Sequence, residues 1–112
     1  AETMVIAMLE EVEALKNLDE IVKVEHVDAF FIAPGDLAQS MGYPGQTDHP
    51  DVQAAVQDAV RRVRAAGRAP GVLTTSGATA RRALELGALF IYVSLARLLQ
   101  PGARDFLAAF EQ

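Results

Sequence analysis

The chain is 112 residues long, 51% apolar and 22% charged, with a net charge of −5 and no cysteine. That is the size of one small domain with apolar residues enough for a core; the acidic balance without a Lys/Arg cluster speaks against nucleic acid, and the missing cysteine excludes disulfide and thiolate chemistry. No apolar run nears the roughly 18 residues of a membrane span and the first residues lack the basic start of a secretory signal, so the expectation is a cytoplasmic protein without a membrane partner.

Met4 to Leu9 is an unbroken apolar run, the pattern of a central parallel strand covered on both faces. It ends at Glu10. Val12, Leu15, Leu18 and Ile21 then recur at helical spacing, with Glu11, Glu13, Lys16, Glu20 and Lys23 between them, which predicts one amphipathic helix. Phe30, Phe31 and Ile32 form a second strand that empties into Ala33-Pro34-Gly35-Asp36 and a short helix beginning at Leu37. A polar, Gly-rich connection follows, and His49-Pro50-Asp51 opens the best-marked helix, since Pro suits the first turn and Asp the positive end of the dipole.

Its stripe is Val52, Ala55, Val56, Ala59, Val60 and Val63, and Gly67 is expected to stop it in a left-handed cap. Arg61, Arg62 and Arg64 read as its solvated face beside Asp58. A third strand spans Gly71 to Thr74; Ser76 or Thr79 starts a helix with Ala80, Ala83 and Leu84 inward, ended by Gly87. Leu89 to Val93 is a fourth strand, with Tyr92 in the core. Leu95 to Phe110 is helical, interrupted near Pro101-Gly102, with Phe106, Leu107 and Phe110 on one side.

This pattern has four strand and helix units and no hairpin signal, so the fold class is α/β with parallel strands. Four such units make half of a TIM (β/α)₈ barrel, whose usual size is roughly 250 residues. A free half exposes two sheet edges and an inner face, which predicts either a missing amino-terminal half or a homo-oligomer.

The chemistry concentrates at the carboxyl ends of the first two strands, where α/β sheets keep their sites. Glu10 and Asp36 converge there, and paired carboxylates suit Mg²⁺ or Mn²⁺ with open positions for water and substrate. Each could equally decorate a helix start, Asp36 as an N-cap. Gly35 lets a ligand approach the backbone, or simply serves a tight turn. Thr74, Thr75 and Ser76 occupy a third strand end. His26 sits at the wrong end of its strand, and His49 reads as a helix entry. No Ser/His/Asp arrangement, phosphate loop or zinc spacing occurs, and no catalytic residue is identified.

Leu9-Glu10, Glu13 to Leu18, Phe31-Ile32-Ala33-Pro34-Gly35-Asp36-Leu37, Met41-Gly42-Tyr43, His49-Pro50, Ala69-Pro70-Gly71 and Leu86-Gly87-Ala88 occur in an order and with gaps that resemble the carboxyl-terminal half of the HpcH/HpaI aldolase family. These are class II, metal-dependent pyruvate aldolases acting on 4-hydroxy-2-oxo or 2-keto-3-deoxy acids. The resemblance covers nearly the whole of residues 1–112. It implies Glu10 and Asp36 as metal ligands, the N–H groups of Gly35 and Asp36 as holders of the pyruvate carboxylate, and Leu73 as pocket lining. It also implies helix-swapped oligomers, a role that the stripe of Phe106, Leu107 and Phe110 fits.

Departures accompany it. Ala33 stands where the family carries Gly, Ser94-Leu95-Ala96 lacks the usual acid, and the family's general-base His and keto-acid Arg belong to the half that these residues do not contain. The expected function is a carbon–carbon lyase of the pyruvate aldolase type, incomplete in this chain alone, with a keto acid of the pyruvate or oxaloacetate type as ligand. The alternative is a non-catalytic metal or keto-acid binding half-barrel serving as an assembly module.

Overall fold

The computed structural model describes residues 3–110. Four parallel strands lie in the order β1 (Ile6–Leu9), β2 (Ala29–Ile32), β3 (Ala69–Leu73), β4 (Phe90–Tyr92). The helices between and after them are α1 (Val12–Lys16), α2 (Leu18–Ile21), α3 (Pro34–Ser40), α4 (Pro50–Ala65), α5 (Gly77–Glu85) and α6 (Leu95–Ala108). Each strand pairs with the next in sequence, in parallel, as the absence of hairpin signals requires.

The register separates two faces, because side chains alternate along a strand. Leu9, Ile32 and Val72 align on one face, beside Phe30 and Pro70, and are buried under the helices with Leu18, Leu37, Val52, Val60 and Val63. The other face carries Met8, Phe31, Gly71 and Phe90 in one row and Leu73 with Tyr92 in the next, and no helix among the described residues covers it. There Phe31 meets Phe90 and Tyr92 edge to face at 5.9 and 6.0 Å, arrangements favoured by the ring quadrupoles.

Several expectations change. β1 is an edge strand and not a strand covered on both faces: Met8 is 55% exposed because none of the described residues packs over the second face. For the same reason Tyr92, expected in the core, is exposed on β4. The single helix after Glu10 is two pieces that meet at Asn17, whose φ of −92° and ψ of 8° depart from the helical values, while its side chain donates to the Glu13 carbonyl at 3.0 Å and carboxylate at 3.1 Å. Leu84 faces solvent while Ala83 is buried, one residue being a turn of about 100° on a helix. α6 continues through Pro101 without interruption; it buries no residue, so the carbonyl that Pro101 leaves unpaired can be hydrated.

Two arginines prove structural. Arg62, placed by sequence on a solvated face, donates to Asp19 at 2.8 and 3.1 Å and to the Leu15 carbonyl at 2.9 Å, tying α4 to the α1–α2 segment. Arg68 donates to the carbonyls of Val22, Val24 and Val27 and lies 5.1 Å over the Phe30 ring, closing the connection into β2. As expected, α4 buries its valine stripe, and Gly67 follows it with a φ of 73°.

Candidate functional site

The ends of β1 and β2 are level, because Leu9 pairs with Ile32 and the Ala33 N–H donates to the Leu9 carbonyl at 3.2 Å. Glu10, half-buried, therefore leaves β1 beside the entry to α3. That helix starts at Pro34 with Ala33 as its N-cap, so Asp36 sits inside the first turn and the capping role open to it is not used. Pro at the first position and the acid in the first turn suit a helix start. The N–H groups of this first turn have no intrahelical acceptor.

Glu10 and Asp36 line one cavity of about 450 Å³ with Glu11, Gln39 and Ser40. Ser40 also fixes this corner: the Val12 N–H, two residues past Glu10, donates to Ser40 Oγ at 3.0 Å. The start of α1 is thereby held to the end of α3. A second cavity of about 500 Å³ begins at the same Gly35-Asp36 turn, passes Leu73, Thr74 and Thr75, and enters the cleft between α4 and α5. A Cβ added at Gly35 would meet no atom within 4 Å, so the space beside this backbone is open to a ligand.

The structure thus brings together Glu10 with Asp36, and Gly35 and Asp36 with Leu73. The donor set fits a hard divalent cation: Glu10, Glu11 and Asp36 line one cavity with Gln39, and Mg²⁺ characteristically takes one or two carboxylates and keeps several waters. Among the described residues no group of three or more His, Cys, Asp or Glu side chains is placed to hold a metal.

Of the other candidates, Thr74 is buried, its N–H donating to the Tyr92 carbonyl at 2.8 Å. Ser76 caps α5, accepting from the Thr79 N–H at 3.2 Å while its own N–H donates to Thr79 Oγ1 at 3.0 Å. His49 is the N-cap of α4, accepting from the Asp51 N–H at 3.2 Å and stacking on Tyr43 at 3.7 Å. The Tyr43 hydroxyl donates to Asp51 at 2.7 Å; that bond, and then the carboxylate's charge, raise its pKa above the ordinary 10.0. His26 lies in the turn before β2 with a φ of 60°, at the opposite end of the sheet. Neither histidine lines either cavity.

Sequence reasoning missed Gln39, Ser40, Arg82 and Arg97 as lining residues. A signal existed for Arg97 alone, a cation in the first turn of α6, five residues past the end of β4 at Tyr92.

The sequence model of the HpcH/HpaI aldolase/citrate lyase family matches residues 1–97. The chain is 48% identical over 107 residues to a 4-hydroxy-2-oxo-heptane-1,7-dioate aldolase of Klebsiella pneumoniae, covering 95% of this chain and 40% of that protein. The enzyme of the same name from Shigella sonnei is 48% identical over 105 residues, with 94% and 40% covered. Among solved structures, an HpcH/HpaI aldolase/citrate lyase family protein from Burkholderia cenocepacia superposes with a TM-score of 0.88 at 29% identity, covering 98% of this chain and 43% of that one. The HpcH/HpaI aldolase from Desulfitobacterium hafniense gives 0.84 at 29% identity, with 97% and 43% covered. The chain spans about 40% of the length of the curated relatives it matches.

Proposed function

Because the chain belongs to the HpcH/HpaI aldolase/citrate lyase family, we propose that it is the donor-binding, carboxyl-terminal half of a TIM-barrel carbon–carbon lyase. The reaction is metal-dependent retro-aldol cleavage of a 4-hydroxy-2-oxo or 2-keto-3-deoxy acid, releasing a pyruvate-type keto acid. The observation that carries this reading is the convergence of Glu10 and Asp36, from the ends of two hydrogen-bonded strands, on one cavity.

Glu10 and Asp36 would hold Mg²⁺ or Mn²⁺. When bound, such a cation supplies Lewis-acid stabilisation of the negative charge left on the donor by C–C cleavage. The chain's own contribution is positioning. The N–H groups of Gly35 and Asp36 donate to the donor carboxylate, Leu73 gives an apolar wall, and the Ser40 bond to the Val12 N–H keeps the two acids in register.

A base must take the proton of the C4 hydroxyl, and neither cavity is lined by His or Lys. General-base catalysis contributes about 10²–10⁴-fold, so the chain alone binds donor yet turns over feebly, and the remaining barrel or a second subunit supplies the base. The same lack supports the second reading, a non-catalytic keto-acid binding half-barrel. Cleavage assays of the chain with and without an added amino-terminal half discriminate the two. The half-barrel's open face supports a homo-oligomer or a partner half; among the described residues no helix is long and apolar enough to cross a membrane.

Calorimetry with Mn²⁺ tests the site. Asp36→Asn removes one of two anionic ligands and is expected to weaken binding at least about tenfold, within the 10–100-fold typical when even the groups supporting metal ligands are lost. Unchanged affinity would sink the assignment.

A further inference from the structure

We infer that two copies of this chain close one eight-stranded parallel barrel, the β4 edge of each copy pairing with the β1 edge of the other. The inference stands on the sheet and its charges and does not use the donor-site reading.

The topology permits this closure. β1 and β4 are the free edges of a four-stranded sheet in which every strand is parallel to its neighbour. On β1 the Val5 and Leu9 carbonyls accept from the Ala29 and Ala33 N–H groups, so the intervening Ile6 and Met8 present their own N–H and C=O to the free edge. On β4 the Tyr92 carbonyl accepts from the Thr74 N–H, so Ile91 presents its backbone groups outward. Setting a second β1 beside β4 continues the parallel sheet, and eight is the strand number at which a parallel α/β sheet closes. Two such seams complete the ring, so assembly stops at two copies instead of growing into a filament.

Surface area calls for a partner of that size. The chain exposes 7490 Å² at a mass of 12.0 kDa. A compact monomer of that mass exposes about 6,000 Å², so each copy carries an excess of about 1,500 Å². Two copies that bury it make an interface of about 3,000 Å², within the roughly 2,000–5,000 Å² of obligate homodimers. The uncovered face also suits a barrel interior. Met8, Phe31 and Phe90 share a row with Gly71, and such mixing of large and small side chains lets facing layers interdigitate.

Charge selects a second copy as the occupant. Next to the β1 edge, residues 10–23 carry Glu10, Glu11, Glu13, Asp19 and Glu20 against Lys16 and Lys23. Next to the β4 edge, α5 and α6 carry Arg81, Arg82, Arg97 and Arg104 against Glu85 and Asp105. The two edges of one chain are thus complementary, whereas two β1 edges repel each other, and complementary potentials of this kind fix partner and register. All eight strands then point the same way. The β4–α6 turn of the second copy, which carries Arg97, falls beside Glu10 at the end of β1 and walls the cavity of Glu10 and Asp36 on its open side.

The chain has no cysteine, so introduced cysteines report the seam alone. A barrel shear of eight displaces the register by about four residues over each half. Tyr92, in line with Glu10 of its own copy, therefore lies opposite Ile6 of the second, both side chains turned inward. Ile6→Cys and Tyr92→Cys proteins, altered at exposed positions, are prepared separately, mixed and mildly oxidised. The mixed disulfide is expected to exceed either self-pair at least about fivefold, because the two β1 strands stand on opposite sides of the barrel. Sedimentation of the unaltered chain is expected to give a dimer. Arg97→Glu with Arg104→Glu is expected to weaken it about tenfold, since exposed pairs are individually modest but are reversed at both seams.

A monomer at micromolar concentration, a dimer that forms no mixed disulfide, self-pairs of the Ile6→Cys protein in equal yield, or a dimer unmoved by the charge reversal would overturn the closed barrel. So would a chain that stays monomeric until an amino-terminal half-barrel is added and then binds it one to one, which would give the open face to that half.

Discussion

Tyr43, His49 and Asp51 show how a single residue type is assigned by its neighbours. His49 accepts a backbone N–H and stacks on Tyr43, which in turn donates to Asp51, so the imidazole is occupied at a helix entry. The Tyr43 pKa is raised, first by the hydrogen bond to Asp51 and then by its charge. A raised pKa means that the neutral phenol is the favoured form in the fold. Its contribution is whole below the unfolded value near 10 and is lost as pH climbs through the higher folded value. Ultraviolet titration is expected to find one tyrosine ionising late, and Asp51→Asn to bring it back toward the ordinary value; an unmoved titration would refute the pairing.

Gly71 is the other residue with a sharp expectation. A Cβ there would stand 2.7 Å from Phe90 Cδ1 and 3.3 Å from Phe31 Cδ2. The open face has its aromatic contacts because this position has no side chain. Gly71→Ala is expected to cost about 1–3 kcal/mol in urea unfolding, as overpacking typically does. A gain in stability would mean that the rings move aside freely.

Among the elements, α5 is held by local chemistry more than by burial. Ala83 is its one fully buried residue, while Ser76 and Thr79 form a reciprocal capping box at its start. Ser76→Ala is expected to destabilise the chain by about 1 kcal/mol, the usual value for a lost N-cap, read from the midpoint of chemical unfolding. If the midpoint does not move, the box is redundant with packing. α3 shows the complementary case. Its start has no side-chain cap, and its end, through Ser40, caps a different helix. The short helix that carries Asp36 is thus anchored to the segment that carries Glu10 by one long-range hydrogen bond.

For the whole molecule, the decisive property is its open shape. The radius of gyration is 16.1 Å, against about 13 Å for a compact chain of this length. Met8 and Tyr92 are exposed on the uncovered sheet face, as are Leu98, Phe106 and Phe110 along α6. Unpaired edges and large apolar patches favour association. Sedimentation at micromolar concentration is expected to find oligomers, and Phe106→Ser with Phe110→Ser to shift them toward smaller species. A compact monomer that unfolds cooperatively would contradict this.

The sequence by itself determined what depends on local pattern. Strands ending at Glu10 and before Asp36, the valine stripe of α4, the left-handed stop at Gly67 and the Ser76 start of α5 follow from periodicity and turn chemistry, which act within a few residues. The parallel class followed as well, because no hairpin turn separates the strands. Tertiary structure alone decided what depends on residues distant in the chain. Met4 to Leu9 has the composition of a strand covered on both faces, but composition cannot say whether the covering elements are present, and here one face is bare. Arg62 and Arg68 look like surface cations until the fold brings carbonyls more than 40 residues away within reach. Arg82 and Arg97, 15 positions apart, share a cavity only because two adjacent strand–helix units are laid side by side, a juxtaposition that no spacing along the chain encodes.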